Sequence, residues 1–201
     1  MSGDYSDVRL VVFGGDYNTG KSSLFKHRVT GQIPIIGNFP SKYERIEPEE
    51  FTFDQKTFRV VFDDHEGGGE DWHRLRHLGY ISADTAVLCF SIGCPDSLAN
   101  IKGYWYPFTQ KYCPKAKLLL VGMKKDLRDD HDVIKELAKA KEKPITYEEG
   151  EELSKEINAE CYLECSTLRE EGNEEIFRRA AEISSTVFID HFPKKKKCCM
   201  I

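Results

Sequence analysis

The apolar positions of this chain fall into short bursts separated by polar turns. Arg9–Phe13 is a mostly apolar run ending at Gly14-Gly15, the pattern of a buried strand that enters a turn. Phe51–Phe53 and Thr57–Phe62 are β-rich runs separated by Asp54-Gln55-Lys56, which predicts a hairpin. Thr85–Phe90 and Leu118–Gly122 read as further buried strands, and Cys161–Cys165 as the last. Helical patterns lie between them, over Lys21–Val29, Trp72–Leu78, Asp96–Tyr112 and Glu148–Ile157. Thr146 with Glu149 three residues on predicts a capping box for the last of these. A final helix is predicted from Asn173, its expected cap, with Ile176, Ala180, Ile183 and Val187 on one face. Arg128–Lys143 is heavily charged, with Val133, Ile134 and Leu137 as its apolar members. It reads as a surface helix stopped by Pro144, either simply solvated or partner-binding.

Strands that alternate with helices imply an α/β fold. Its central sheet is mostly parallel with one antiparallel edge hairpin, and helices cover both faces. Ligands bind such sheets at the carboxyl ends of the strands. The loops after Phe13, Phe62, Val121 and Cys165 are therefore the informative ones.

Composition narrows the picture. The 201 residues suit one domain, with 40% hydrophobic and 31% charged residues. The net charge of −5 is uneven, because Lys194–Lys197 concentrate four positive charges at the end of an acidic body. Such a balance argues against a nucleic-acid partner and for a tail that touches an anionic surface. None of the seven cysteines forms a CxxC pair, so no zinc site is expected. The polar, acidic Met1–Asp7 does not read as a leader, and a reducing cytosol is expected. No apolar run approaches the twenty residues needed to span a bilayer.

Four loops carry candidate chemistry. Gly15, Asp16, Tyr17, Asn18, Thr19, Gly20, Lys21 and Ser22 fit G-x-x-x-x-G-K-[ST] between a strand and a helix, and Ser23 follows. Backbone N–H groups there can cradle phosphates. Lys21 would neutralise the outer phosphates, and the Ser22 hydroxyl would ligate Mg²⁺. Asp64, with Gly67 three residues on, follows the Thr57–Phe62 strand. A carboxylate there can reach the Mg²⁺ shell, and a glycine permits close approach to a phosphate. Lys124-Lys125-Asp126 follows the Leu118–Gly122 strand. Asp126 can accept from guanine N1–H and the 2-amino group, whereas adenine presents a lone pair at N1. A site built around such a donor can reject the wrong base by roughly 10⁴-fold or more. Ser166 and Thr167 follow the last strand, where backbone could meet the guanine carbonyl.

In order and content these loops resemble the Ras-like small GTPases, and the details resemble the Rho branch. Asp71–Tyr80, Cys89-Phe90-Ser91-Ile92, Pro95–Ile101 and Lys124-Lys125-Asp126-Leu127-Arg128 are all similar to Rho segments. The charged stretch at about 128–143 sits where Rho proteins carry an insert helix. The resemblance implies a P-loop GTPase fold over residues 1–190, GTP/GDP and Mg²⁺ as ligands, and control of actin. It also implies effector proteins, exchange factors and a prenyl-binding dissociation inhibitor as partners. Phe39-Pro40-Ser41 resembles the first switch, with Ser41 a further Mg²⁺ ligand. Ser41, Lys42, Tyr43 and Glu44 then fall in the effector-contact stretch.

Departures from the family pattern bear on mechanism. Tyr17 replaces a small glycine, and its ring is expected toward the γ-phosphate, where an activating protein's arginine would enter. Gly68 and Gly69 stand where the family has the glutamine that orients the attacking water. No catalytic side chain is assigned, and hydrolysis is expected to be very slow. Met123 replaces an asparagine beside the base, and a thioether cannot make an amide's hydrogen bonds. Ile33 replaces a phenylalanine that packs on the base. Two readings follow: a switch that rests in its GTP form, or a nucleotide-free scaffold.

Residues 191–201 form a polybasic tail ending in Cys198-Cys199-Met200-Ile201, which fits C-a-a-X with Cys198 as the prenylated residue. One lipid holds weakly, and Lys194–Lys197 supply a second signal at about 1 kcal/mol per basic residue. The expected location is the cytoplasmic face of a membrane, such as the plasma membrane, with a cytosolic pool.

Overall fold

The structure is a computed structural model and describes residues 8–33, 47–64 and 80–187. Six strands form one sheet in the order β2-β3-β1-β4-β5-β6. They are β1 (Val8–Gly15), β2 (Glu49–Phe53), β3 (Lys56–Asp64), β4 (Thr85–Ser91), β5 (Lys117–Met123) and β6 (Cys161–Glu164). The β1–β3, β1–β4, β4–β5 and β5–β6 pairs are parallel, and β2–β3 is antiparallel. The edge hairpin forms where the sequence places it. Its turn is tighter than expected, however. Asp54 (φ 49°) and Gln55 (φ 65°) make a two-residue connection, and Lys56 already pairs with Phe53. Positive φ at both central residues matches the twist of the flanking strands.

Each central strand is buried on both faces, as parallel sheets require. Val87 and Cys89 of β4 join the core under the Lys21–Thr30 and Asn173–Ser185 helices, which supply Leu24, Phe25, Ile176 and Phe177. Leu88 and Phe90 face the other way, against Ile101, Trp105, Leu153 and Ile157. The two-residue alternation of a strand thus builds two cores on opposite faces. Phe13, Phe25, Phe62 and Phe177 interlock in the first of them, with ring centroids 4.8–6.4 Å apart.

Several local details depart from expectation. Strand β6 ends at Glu164, and Cys165 already belongs to the following loop. Gly172 (φ 74°), not Asn173, caps the final helix. A Cβ at Gly172 would lie 2.5 Å from the Glu164 carbonyl, so the close approach as well as the left-handed backbone favours glycine there. Asn173 sits one residue inside the helix, buried, and neither of its amide atoms has a hydrogen-bond partner. The charged insert begins at the end of a 3₁₀ turn over Lys125–Arg128 and holds a helix over His131–Lys139. That helix buries none of its residues, which fits the solvated reading. It ends at Ala140, with Lys141 left-handed (φ 61°), so Pro144 is not what stops it. The predicted Asp96–Tyr112 helix is interrupted by a π-helical turn at Ile101–Trp105. The predicted Trp72–Leu78 helix lies outside the described residues.

Candidate functional site

The Lys21–Thr30 helix begins without protection. Its N-cap is Gly20 (φ 110°), no side chain caps it, and its first turn holds no acidic residue. Any helix leaves its first N–H groups without intrahelical partners. Here they lie where the Gly15–Ser22 loop enters the helix, and no side chain caps them. Gly15 lets the loop leave β1 tightly against β4, since a Cβ there would fall 2.2 Å from the Cys89 carbonyl.

Lys21 is 1% exposed, and its Nζ donates to Gly15 O (3.0 Å), Asp16 O (2.8 Å) and Thr19 Oγ1 (3.0 Å). An ammonium has three donors, and the loop oxygens accept from all of them. Ser22 Oγ donates to Asp64 Oδ2 at 2.9 Å, bringing together two oxygens from distant parts of the chain. Hard oxygen donors of this kind suit Mg²⁺, and Ser22 and Asp64 fit the group. Asn18 is left-handed (φ 61°), and Thr19 is buried. Ser23 is half-buried in the first helical turn. Tyr17 stands out from the loop with 80% of its surface exposed.

A second group of residues lies beside this loop. Lys124 is left-handed (φ 56°) and reaches across, its Nζ donating to Asn18 O at 2.5 Å. Asp126 Oδ1 accepts a short hydrogen bond from Ser166 Oγ, which also accepts from Arg169 N at 3.1 Å. Ser166 thereby fixes the Asp126 carboxylate. Lys125 N–H donates to Cys165 O at 2.8 Å and ties the two loops. Thr167 accepts at its carbonyl from Glu170 N, closing a turn behind them. Met123 is 1% exposed and packs 3.5 Å from Cys165 Sγ. It fills apolar space instead of bridging loops with an amide. Burial, helped by the Asp126 charge, pushes the Cys165 thiol up to about 12, so that sulfur is inert near neutrality. Ile33 is 41% exposed. An open cleft of about 390 Å³ adjoins Asp126, walled by Asp129, Asp130, Asp132 and Leu168.

Two sets of residues were missed by sequence reasoning. Arg128 donates from Nη1 and Nη2 to both Glu164 oxygens (2.8 and 2.5 Å) and from Nε to Ile145 O (3.0 Å). Tyr162 Oη donates to the same carboxylate at 2.7 Å, so the loop holding Asp126 is braced from behind. The hydrogen bond and charge of Glu164 raise the Arg128 pKa further. Asn100 and Trp105 both donate to Asp16. Residues five apart show no recognisable helical spacing, so the sequence carried no signal for that pair.

The structure therefore places Gly15–Ser23, Asp64, Lys124, Asp126, Ser166 and Thr167 at or just after the carboxyl ends of β1, β3, β5 and β6. Ser41, Lys42, Tyr43, Glu44, Gly67, Gly68, Gly69 and Cys198 lie outside the described residues. Against known families, the sequence model described as the Ras family matches residues 9–185.

Proposed function

The chain belongs to the Ras family of small GTPases, and from that premise we propose that it is a Rho-type GTP-binding switch whose hydrolysis is impaired and whose resting form carries GTP. One observation supports nucleotide binding above the rest. The Lys21–Thr30 helix has neither cap nor acid in its first turn, while Lys21 and the Ser22–Asp64 pair stand beside it. Uncapped N–H groups, a helix dipole and an ammonium converge on one anion site.

In this reading Gly15–Ser23 and Gly67 hold the phosphates. Ser22, Asp64 and Ser41 supply ligands to Mg²⁺, which when bound neutralises phosphate charge. Lys124, Asp126, Ser166 and Thr167 hold the base, with Asp126 accepting from guanine N1–H and the 2-amino group. Met123 is packed into the core and donates nothing to that end, so base contacts are weak and exchange is fast. Cellular GTP in excess over GDP then refills the site. Tyr17, largely exposed, would obstruct an incoming arginine. Gly68 and Gly69 have no side chain to orient water.

The remaining properties are read from the sequence and the family. Prenylation at Cys198 and the Lys194–Lys197 cluster would hold the protein at the cytoplasmic face of the plasma membrane. Ser41–Glu44 would meet effectors that act on actin, while exchange factors and a prenyl-binding inhibitor would act on the same chain.

The alternative, a nucleotide-free membrane-tethered scaffold, has one observation in its favour. Three loop oxygens already accept from Lys21, which lowers the cost of burying that ammonium without a phosphate. Binding and single-turnover hydrolysis of a fluorescent GTP analogue with Mg²⁺ separate the readings. The switch reading expects binding, slow turnover in the wild type and faster turnover in Tyr17→Gly combined with Gly68→Gln. Rapid wild-type turnover would contradict impaired hydrolysis, and absence of binding would leave the scaffold.

A further inference from the structure

Helical residues 95–112 contain a π turn, and its position has a consequence for the Gly15–Ser22 loop. Pro95–Asn100 and Tyr106–Tyr112 are α-helical, and Ile101–Trp105 between them is π-helical. Asn100 precedes this turn and Trp105 is its last residue, five positions on. In a straight α-helix five residues advance about 140° past a full turn, so the two side chains would point to different faces. A π turn closes i→i+5 hydrogen bonds instead, as Tyr106 N–H does to Ile101 O. Residues five apart are thereby brought much nearer to one face than in an α-helix.

Both side chains consequently reach one group. Asn100 Nδ2 donates to Asp16 Oδ2 at 2.7 Å, and Trp105 Nε1 donates to Asp16 Oδ1 at 2.7 Å. A carboxylate only accepts, so the amide nitrogen of Asn100 must be the atom that faces it. Asp16 is the first loop residue after β1, and its carbonyl accepts from Lys21 Nζ at 2.8 Å and from Thr19 Oγ1 at 3.0 Å. The Trp105 ring also underlies the start of the loop. A Cβ at Gly14 would lie 3.3 Å from Trp105 Cε3.

We propose that Asn100 and Trp105 are positioning residues for the nucleotide. They grip both oxygens of Asp16 and so set the loop that carries Lys21, and the π turn is the device that brings them to one carboxylate. This inference rests on the nucleotide-binding reading. It assigns the helical residues 95–112 a part in nucleotide retention.

The test is the dissociation rate of N-methylanthraniloyl-GDP with Mg²⁺ from the full chain, with unfolding temperature measured in parallel. Asn100→Asp sets two carboxylates against each other and should speed release about 10-fold or more. Adding Asp16→Asn recreates the pair with donor and acceptor exchanged, and should return the rate to within about 3-fold of wild type. Trp105→Phe removes the donor but also shrinks a core side chain, so it should speed release several-fold and lower the unfolding temperature. Asn100→Ala, at an exposed position, should speed release several-fold with little change in unfolding temperature, a split that a purely structural role would not give. In a Trp72→Phe background, Trp105 is the one remaining tryptophan. Its emission should change on nucleotide binding. Unaltered release in Asn100→Asp and Trp105→Phe would overturn the inference, as would an Asn100→Asp defect that Asp16→Asn fails to relieve. A wild-type chain that never retains the probe would instead overturn the nucleotide-binding reading.

Discussion

Two ten-residue helices of this molecule begin in opposite ways. The Tyr147–Glu156 helix closes its own start: Thr146 Oγ1 accepts from Glu149 N at 3.2 Å, and Glu149 Oε2 accepts from Thr146 N at 2.7 Å. Glu148 and Glu149 also place negative charge against the positive end of its dipole. The Lys21–Thr30 helix does neither, having a glycine N-cap and no first-turn acid. Both helices leave the same N–H groups without intrahelical partners. One settles them with its own side chains and is a structural element. The other has no side-chain cap and no acid, and in the nucleotide-binding reading its N–H groups serve the ligand.

The contrast breaks most severely if Lys21 is removed. Lys21→Ala should lower the affinity for a fluorescent GTP analogue by about 10²–10³-fold, since losing one partner of a desolvated charge pair costs about 2–5 kcal/mol. Unchanged affinity would mean that the open helix start is not an anion site.

Ser23→Glu would sharpen the comparison by giving the Lys21–Thr30 helix the acid it lacks. A carboxylate there should weaken nucleotide binding by at least about 10-fold through like-charge repulsion. The same carboxylate complements the dipole by about 0.3–1 kcal/mol, so the nucleotide-free chain should unfold about 1–4 °C higher. Binding titrations and thermal melts should therefore move in opposite directions.

Thr146→Ala opens the closed helix instead. Loss of an N-cap costs about 1 kcal/mol, which lowers the unfolding temperature by about 2–4 °C in a chain of this size. Nucleotide affinity should not move.

The smallest effect is a pH dependence at the same cap. The Thr146 backbone N–H holds the Glu149 carboxyl below the usual range, with Lys143 assisting and partial burial opposing. Its folded-state pKa is thus below the unfolded value of about 4.3. The contribution is complete above that value and is lost as pH falls through the folded pKa. The difference in unfolding temperature between wild type and Glu149→Gln should accordingly shrink as melts are taken to progressively lower pH below about 4.

The features legible in the sequence are those that local chemistry decides. The hairpin between the β-rich runs was legible because Asp54 tolerates the positive φ a turn needs, although Lys56 joins the strand and the turn is one residue shorter than the sequence suggests. Thr146 and Glu149 form their box because the partners lie within one helical turn. The Gly15–Ser22 pattern lies between a strand and a helix, the context its residue spacing requires. Features decided by distant contacts were not legible. Asn173 yields the cap to Gly172 because the Glu164 carbonyl, brought close by the intervening loop, leaves no room for a Cβ. The π turn at Ile101–Trp105 makes no pattern along the chain and acquires meaning only when Asp16 is beside it. Met123 reads as a lost hydrogen bond, but in the fold it is a core residue against Cys165.

The account as a whole turns on which nucleotide the protein carries. Freshly purified chain, denatured and resolved by ion-exchange chromatography, should release mostly GTP. Release of GDP would show that turnover survives Tyr17, Gly68 and Gly69, and a site still empty after incubation with GTP and Mg²⁺ would contradict the switch itself.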